Sequence, residues 1–505
     1  PLFFLMIRRP PRSTLFPYTT LFRSAFDYKI LASYLLPKGI LKFFDVTAVN
    51  EDHTGIIEET GNERVLLHIY LDEKDAREEE WHDLKPNGFT ESRQVNDFPI
   101  RDHKVVLHVR RRRWLTAEGR NIILDRYSLL ADNTGYSKEF ADVLKKYLDT
   151  YPITARSPGL YFKVDGNNLE RAYKDHLSGF RNWEQASHAE DWVLHPKNIG
   201  KRLGIDETML HKDLMTFLTN KEGHGKRHTL IAAVKGTKAS DIINVLMQIP
   251  QEQREQVEEV TMDFSDSMFA VVTEAFPNAA IVIDCFHIVK RCIEAVEELR
   301  LKAKREAQKA QNKEKAMFKK KLEQLVKSRK YYRKKHPKKY KGKKRGRKPQ
   351  RLNKRFRPTM LANGETVIEL LTRSKHLLSV SGEKWTDRQK TRAKILFRMF
   401  PKIKDAYTLI CSLRSGFSNK SIDRGTAKVK LHEWYQKVSV CTLREVKAAR
   451  DAIKYKEEEV LNYFINRSTN AHAESLNSKL KGFRAQLRGV QDLPFFMFRA
   501  SIIFG

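Results

Sequence analysis

From residue 200 onward the apolar positions fall into short runs of two kinds. "KRLGID" (201–206), "LMTFLTN" (214–220) and "TLIAAVKG" (229–236) are compact, turn-bounded runs that predict three strands. "KASDIINVLMQI" (238–249) has helical spacing, "VEEVTMD" (257–263) predicts a strand, "MFAVVTEAF" (268–276) a helix and "AAIVID" (279–284) a strand. The pattern is therefore three strands, then helix, strand, helix, strand. Two aspartates, Asp263 and Asp284, each follow an apolar run, which raises the question of which one does chemistry.

The flanking parts read differently. Residues 25–150 predict a small α/β domain: "RVLLHIYL" and "HKVVLHVRRRRW" are β-rich, "NIILDRYSLL" follows the hairpin-like "TAEG", and Ser137 is placed to cap the helix "SKEFADVLKKYLDTY". Residues 151–199 predict a helix-turn-helix-like DNA-binding segment, or else an ordinary helical hairpin, around "VDGNN", with Gly166 at a left-handed position and Asn168 capping a helix that carries Leu169, Tyr173 and Leu177. Residues 361–455 predict a helical insertion, as in "RQKTRAKILFRMF" and "IKDAYTLICSLRSGF".

Composition adds an anionic partner to this picture. The chain has 95 Lys+Arg against 62 Asp+Glu, a formal charge of +33. Residues 301–357 hold 27 of the cations and 3 Glu. The stretch is read as a basic linker over 301–360, disordered until it meets a polyanion, although its part up to about 330 has a helical pattern. Within it "KRGRKP" resembles an AT-hook, with Arg345 and Arg347 as candidate minor-groove contacts; a phosphate-binding linker is the plainer reading. Arg111 and Arg112, in the run beside Trp114, are further candidate DNA contacts, or else a solvated strand edge. Four cysteines form no CxxC pair and none precedes Cys285, which excludes a cysteine-based zinc finger before that point and suits a reducing, cytoplasmic setting. No run of about 18 apolar residues is present. Residues 1–24 match a reading frame of a common sequencing-library adapter and are read as a non-native fusion.

Carboxylates that meet can hold divalent metal for phosphodiester chemistry. Asp206 is placed at the end of the first strand, with Glu207 on the opposite side by alternation. In "NRSTNAHAESLNSKLKGFRAQLRGV" (466–490), Asn470, Glu474, Asn477, Lys481 and Arg484 share one helical face, and Leu476, Leu480, Phe483 and Leu487 form an adjoining apolar stripe. That face is either a metal ligand flanked by phosphate contacts or simply solvated.

"GIDET", "VTMDFSDSM…FPNAAIVIDCFHIVKR" and the 466–490 segment together resemble the transposases of ISL3-type bacterial insertion sequences. The likeness runs from about residue 28 to the C-terminus and includes "YKDHLSGFRNW" and "FPKIKDAY". It implies a DDE recombinase with an α/β, ribonuclease H-like mixed five-stranded sheet, interrupted by the helical insertion. The catalytic core would then be residues 200–300 and 456–505, the latter carrying the Glu helix. Asp206, Asp263 and Glu474 become the catalytic and Mg²⁺ (or Mn²⁺) ligands, supported by Asp284, His287, Asn470 and Asn477. Lys481, Arg484 and Arg488 become DNA contacts. The sheet order of that fold puts Asp263 beside Asp206 and Asp284 one strand farther away. His287 then either orients a ligand or bonds Asp284. The resemblance further implies DNA element ends and target as partners, a homodimer or larger assembly, and a cytoplasmic, nucleoid-associated protein. A catalytically inactive, transposase-derived DNA-binding protein is the alternative. Two departures stand out: many relatives begin with a cysteine-rich zinc-binding region, which is missing here, and the 301–357 stretch is heavier in charge than the family pattern requires.

Overall fold

The computed structural model describes residues 28–57, 61–75, 77–210, 212–337 and 355–505, and its chain divides into two compact units. The adapter-like residues 1–24 and the AT-hook-like residues Arg345 and Arg347 lie outside the described residues. The first unit comprises residues 1–189 and 483–503, the second 190–482 and 504–505. The segment 456–505, expected as the last part of the core, is thus shared between the two.

In the first unit, α1 (Tyr28–Leu35) and α2 (Ile40–Phe43) precede β1 (Phe44–Ile57), β2 (Glu63–Glu73), β3 (Lys85–Phe89), β4 (Arg93–Ile100), β5 (His103–Arg110), β6 (Arg112–Leu115) and β7 (Asn121–Ile122). β1, β2, β5 and β4 form one sheet in that order, and β3, β6 and β7 a second. The hairpin expected at "TAEG" is the β6–β7 pairing. Ser137 caps α3 (Lys138–Thr150) through the Phe140 N–H, as the sequence predicts.

The two helices around "VDGNN" exist as α4 (Arg156–Tyr161) and α5 (Gly166–Ala172), but two details differ from expectation. The cap of α5 is Asp165, whose carboxylate accepts from the Asn168 N–H at 2.8 Å; Asn168 is the recipient. Gly166 is not left-handed. It is required because a Cβ there would stand 2.7 Å from Arg156 Cα, where α4 and α5 meet. Leu169 and Tyr173 are fully buried in a core with Phe140, Leu144 and Leu148, so the apolar face of this helical hairpin supports α3.

The arginine run is likewise built into the unit. Arg110 pairs with Asp72, and Arg111 donates to the Leu124 carbonyl at 2.9 Å and to Asp125 at 3.2 Å. The Arg112 backbone and Nε donate to Glu73 at 2.9 and 3.1 Å. The Arg111 guanidinium is committed to these acceptors, and that of Arg112 lies 4.7 Å over the Phe89 ring with its Nε on the Glu73 carbonyl, which favours a structural role for both candidate DNA contacts.

The second unit holds one six-stranded sheet built from β8 (Trp192–Leu194), β9 (Arg202–Leu210), β10 (Asp213–Asn220), β11 (Leu230–Lys235), β12 (Glu259–Met262) and β13 (Ala280–Ile283). Its order is β13-β12-β9-β10-β11-β8. β9, β12 and β13 run parallel, while β10, β11 and β8 pair antiparallel. The crossovers α6 (Ala239–Leu246), α7 (Gln251–Glu255) and α8 (Asp266–Ala275) help seal a core of Leu203, Ile205, Val260 and Met262. The three-residue β8 has no counterpart among the predicted elements.

After β13 the chain enters α9 (Cys285–Lys335), a helix of 51 residues. Residues 301–335, expected as the first part of a disordered linker, are its continuation. No Gly or Pro interrupts the helix before Pro337, which is why it persists so far. The expected helical insertion follows as α10 (Val367–Arg373), α11 (Lys375–Ser379), α12 (Asp387–Met399), α13 (Pro401–Ser418), α14 (Arg424–Val440), α15 (Arg444–Tyr455) and α16 (Glu457–Asn466). These pack around the first third of α9. Finally come α17 (Ala471–Gln486) and α18 (Leu493–Phe504).

One buried ion cluster ties the insertion together. Glu365 accepts from Arg392 at 2.6 and 3.2 Å, from Arg373 at 3.0 Å and from Asn363 at 2.8 Å. The Arg392 guanidinium pulls its carboxyl down to about 2, against the effect of burial, with Arg373 and Asn363 assisting. The stabilisation is therefore fully present above the ordinary value near 4.5 and is lost as pH falls through about 2. Glu365→Gln is expected to destabilise by about 2–3 kcal/mol at pH 6. The gap in thermal midpoint from the parent chain should narrow steadily toward pH 2; a gap independent of pH would exclude this account.

Candidate active site

Asp206 lies in the middle of β9, not at its end. The strand continues to Leu210 because β10 pairs with it over its whole outer length. Asp206 Oδ1 accepts from the Glu207 N–H at 2.8 Å, and Oδ2 accepts from Asn477 Nδ2 at 2.7 Å. Burial pushes its carboxyl up to about 6; the Asp263 charge adds to this, and Glu474 adds more weakly, against the hydrogen bonds. Glu207 is also raised, by burial first and then by Asp263, so strand alternation does not insulate it from the same acid.

Asp263 follows β12, the strand directly beside β9. Its Oδ1 lies 3.0 Å from His287 Nε2, on the first turn of α9. The Asp263 hydrogen bond raises the His287 pKa, against burial. His287 therefore faces Asp263, and the alternative of a His287–Asp284 pair is replaced.

Asp284 has a different place. It is 4% exposed and caps α9, its Oδ1 accepting from the Phe286 N–H at 2.8 Å. Its Oδ2 accepts from the Asn470 N–H at 2.7 Å, and Asn470 Nδ2 donates to the Ile205 carbonyl at 2.9 Å. Two hydrogen bonds thus pin the approach to α17 onto the sheet, one strand on either side of β12. Gly204 makes that approach possible, because a Cβ there would come within 2.8 Å of Asn470 Oδ1.

Along α17 the two amides and the acid separate by depth. Asn470 and Asn477 are buried, whereas Glu474 and Lys481 are exposed. Leu476, Leu480 and Phe483 are buried as the apolar stripe requires. Arg484 is half-buried, and Arg488, past the helix end, has a left-handed backbone with φ 53°.

A buried pair that the local sequence does not signal supports the same region. Lys221 Nζ donates to Glu259 Oε1 at 2.9 Å and to the Thr261 hydroxyl, and Glu259 Oε2 accepts from Asn466 Nδ2 at 3.3 Å. Lys221 sits in "NKEGHGKRH", which reads as an ordinary polar hairpin loop.

Among the described residues no three His, Cys, Asp or Glu side chains stand close enough to enclose a cation. Asp206, Asp263 and Glu474 are neighbours in charge, without forming a closed cage. The donor set still suits a hard divalent cation: carboxylate oxygens at a partly open site, with Asn477 Oδ1 buried beside them and lacking any hydrogen-bond partner.

The sheet and its acids fall inside the segments by which the chain can be classed. A family model described as a transposase matches residues 203–359 and 350–500. The protein is accordingly a transposase, a DNA-processing enzyme. More particularly, the chain belongs to the ISL3-type DDE transposase family. Comparison with curated proteins gives no match. Among the described residues no helix is long and apolar enough to cross a membrane.

Proposed function

We propose that this chain cuts and joins the DNA ends of an insertion sequence by divalent-metal-dependent phosphodiester hydrolysis and strand transfer. In this reading β11, β10, β9, β12 and β13 are a ribonuclease H-like sheet, and Asp206, Asp263 and Glu474 hold Mg²⁺ or Mn²⁺. The observation that carries it is the placement of Asp206 on β9 beside Asp263, which follows the adjacent parallel strand β12, with Glu474 on α17 near enough for its charge to reach Asp206. Burial and the neighbouring negative charges both disfavour the ionised Asp206 carboxylate, and a bound cation would relieve that cost. The chemistry such a cation supplies when bound is stabilisation of charge on the attacking and leaving oxygens of the phosphodiester.

The chain's own residues do the positioning. Asn477 and the Glu207 N–H hold the Asp206 carboxylate in one orientation, and His287 holds Asp263. Lys481, exposed on α17, is placed for a phosphate contact. Synapsis of two element ends would call for a dimer or larger assembly.

The direct test incubates duplexes bearing the element ends with target DNA and Mg²⁺ or Mn²⁺, and reads joined product. Product that appears only with metal supports the reading. DNA binding without any joined product, whatever the metal, would favour an inactive, transposase-derived binding protein. Within the same assay His287→Gln is expected to slow strand transfer about ten- to a hundredfold by loosening Asp263. A variant as fast as the parent at every metal concentration would remove His287 from the machinery.

A further inference from the structure

The outer part of α9 takes no part in the site; beyond Arg300 it touches the insertion's core through Ala303 and Ala307, and Phe318 meets Phe356 edge-on at 5.8 Å. Its last buried residue is Arg300, and the helix runs on to Lys335. In this extension Ala307, Gln311, Phe318, Leu322 and Val326 are partly covered, while Arg305, Lys309, Lys313, Lys320, Lys327 and Lys334 are exposed. The six cations are spaced 4, 4, 7, 7 and 7 residues apart. At about 100° per residue they occupy an arc of roughly 80°, centred opposite the partly covered row. Among the described residues none of the six has an ion-pair partner, and one acid, Glu323, interrupts the stripe.

We propose that this stripe is a docking surface for the sugar-phosphate backbone of duplex DNA outside the catalytic core. The partner rests on the transposase reading; the stripe itself does not. From Arg305 to Lys334 the helix rises roughly 44 Å, the length of about 13 base pairs. A rigid row of like charge at near-regular spacing complements a polyanion carrying one charge per about 1.7 Å of axis, and five of its six cations are lysines, which contact phosphate as point charges. The binding is therefore sequence-independent and strongly salt-dependent. The helix is already formed, so little conformational entropy is lost on docking.

The test is a full-length chain in which Arg305 and the five lysines of the stripe are replaced by Gln, which preserves helix propensity. Its control replaces Lys394, Arg398, Lys402, Lys404, Lys420 and Lys430, exposed cations of the helical insertion, and so has the same net charge. Affinity for a random-sequence duplex of about 40 base pairs is measured across about 50–200 mM salt. The stripe variant is expected to lose affinity on the order of a hundredfold at the lowest salt, and its log–log salt slope should flatten by about three or more. The control should move the slope by less than about one. Equal losses in the two variants, or tighter binding of the parent chain to RNA or to an acidic protein, would overturn the proposal.

Lysine footprinting on the unaltered chain requires no variant to fold. Duplex DNA should protect Lys309, Lys313, Lys320 and Lys327 but leave Lys402 and Lys430 reactive; the reverse pattern overturns the assignment. Strand transfer separates the two readings. Normal joining with an unchanged salt slope sinks the stripe alone, whereas an intact stripe effect without any joining sinks the catalytic reading alone.

Discussion

Glu474→Gln is expected to lower strand transfer by at least about a thousandfold while changing duplex affinity by less than about threefold. The side chain is exposed on α17 and carries no packing, so its removal leaves the helix and the sheet intact. What it removes is one of the charges that, after burial and Asp263, raise the Asp206 pKa. Asp206→Asn and Asp263→Asn should fall to the same floor, and the three losses should not add, because a site short of one acid already fails. Joined product, counted per bound complex at saturating metal, decides the matter. Robust joining by Glu474→Gln would sink the assignment of the third acid even if the other two hold.

The second large effect is on stability. Asp284→Ala is expected to destabilise the second unit by on the order of 3–4 kcal/mol, since it strips a buried cap and leaves the Phe286 and Asn470 N–H groups without an acceptor. Asp284→Asn keeps an oxygen for one of the two and should fall between. The local readout is amide hydrogen exchange: the Phe286 and Asn470 amides should lose protection before the β9 and β10 amides do. Activity should fall with them, because Glu474 begins one helical turn after Asn470. If both amides remained protected in Asp284→Ala, the two hydrogen bonds would not be what fastens α17.

These two aspartates show where sequence reading succeeds and where it stops. Parallel pairing of β12 with β9 puts Asp263 next to Asp206, and that much follows once strand order is assumed from the resemblance. The strands and crossovers between 201 and 284 were legible because each apolar run is bounded by turn residues. The length of β9 was not, because its outer half is stabilised by pairing with β10, which local composition does not report. Nor was the partner of His287. Its bond to Asp263, in place of the nearer Asp284, depends on the direction in which α9 leaves the sheet. Lys221 and Glu259 lie 38 residues apart and meet only through the sheet. β8 is a three-residue edge strand, too short to show any alternation. At Gly166 the requirement was a close approach between helices, which leaves the same single letter in the sequence as a left-handed turn.

The long helix also has a mechanical character. At 51 residues α9 is a rod of about 75 Å, gripped by the insertion as far as Ala307 and touched again where Phe318 meets Phe356. The root is the turn that bears His287 against Asp263. Arg300, the last buried residue of the helix, holds the rod to the insertion, its guanidinium tied to the Leu371 carbonyl at 2.6 Å and to Glu297. A load on the outer turns is therefore taken up first by Ala307, Lys302 and this arginine before it reaches the turn of His287.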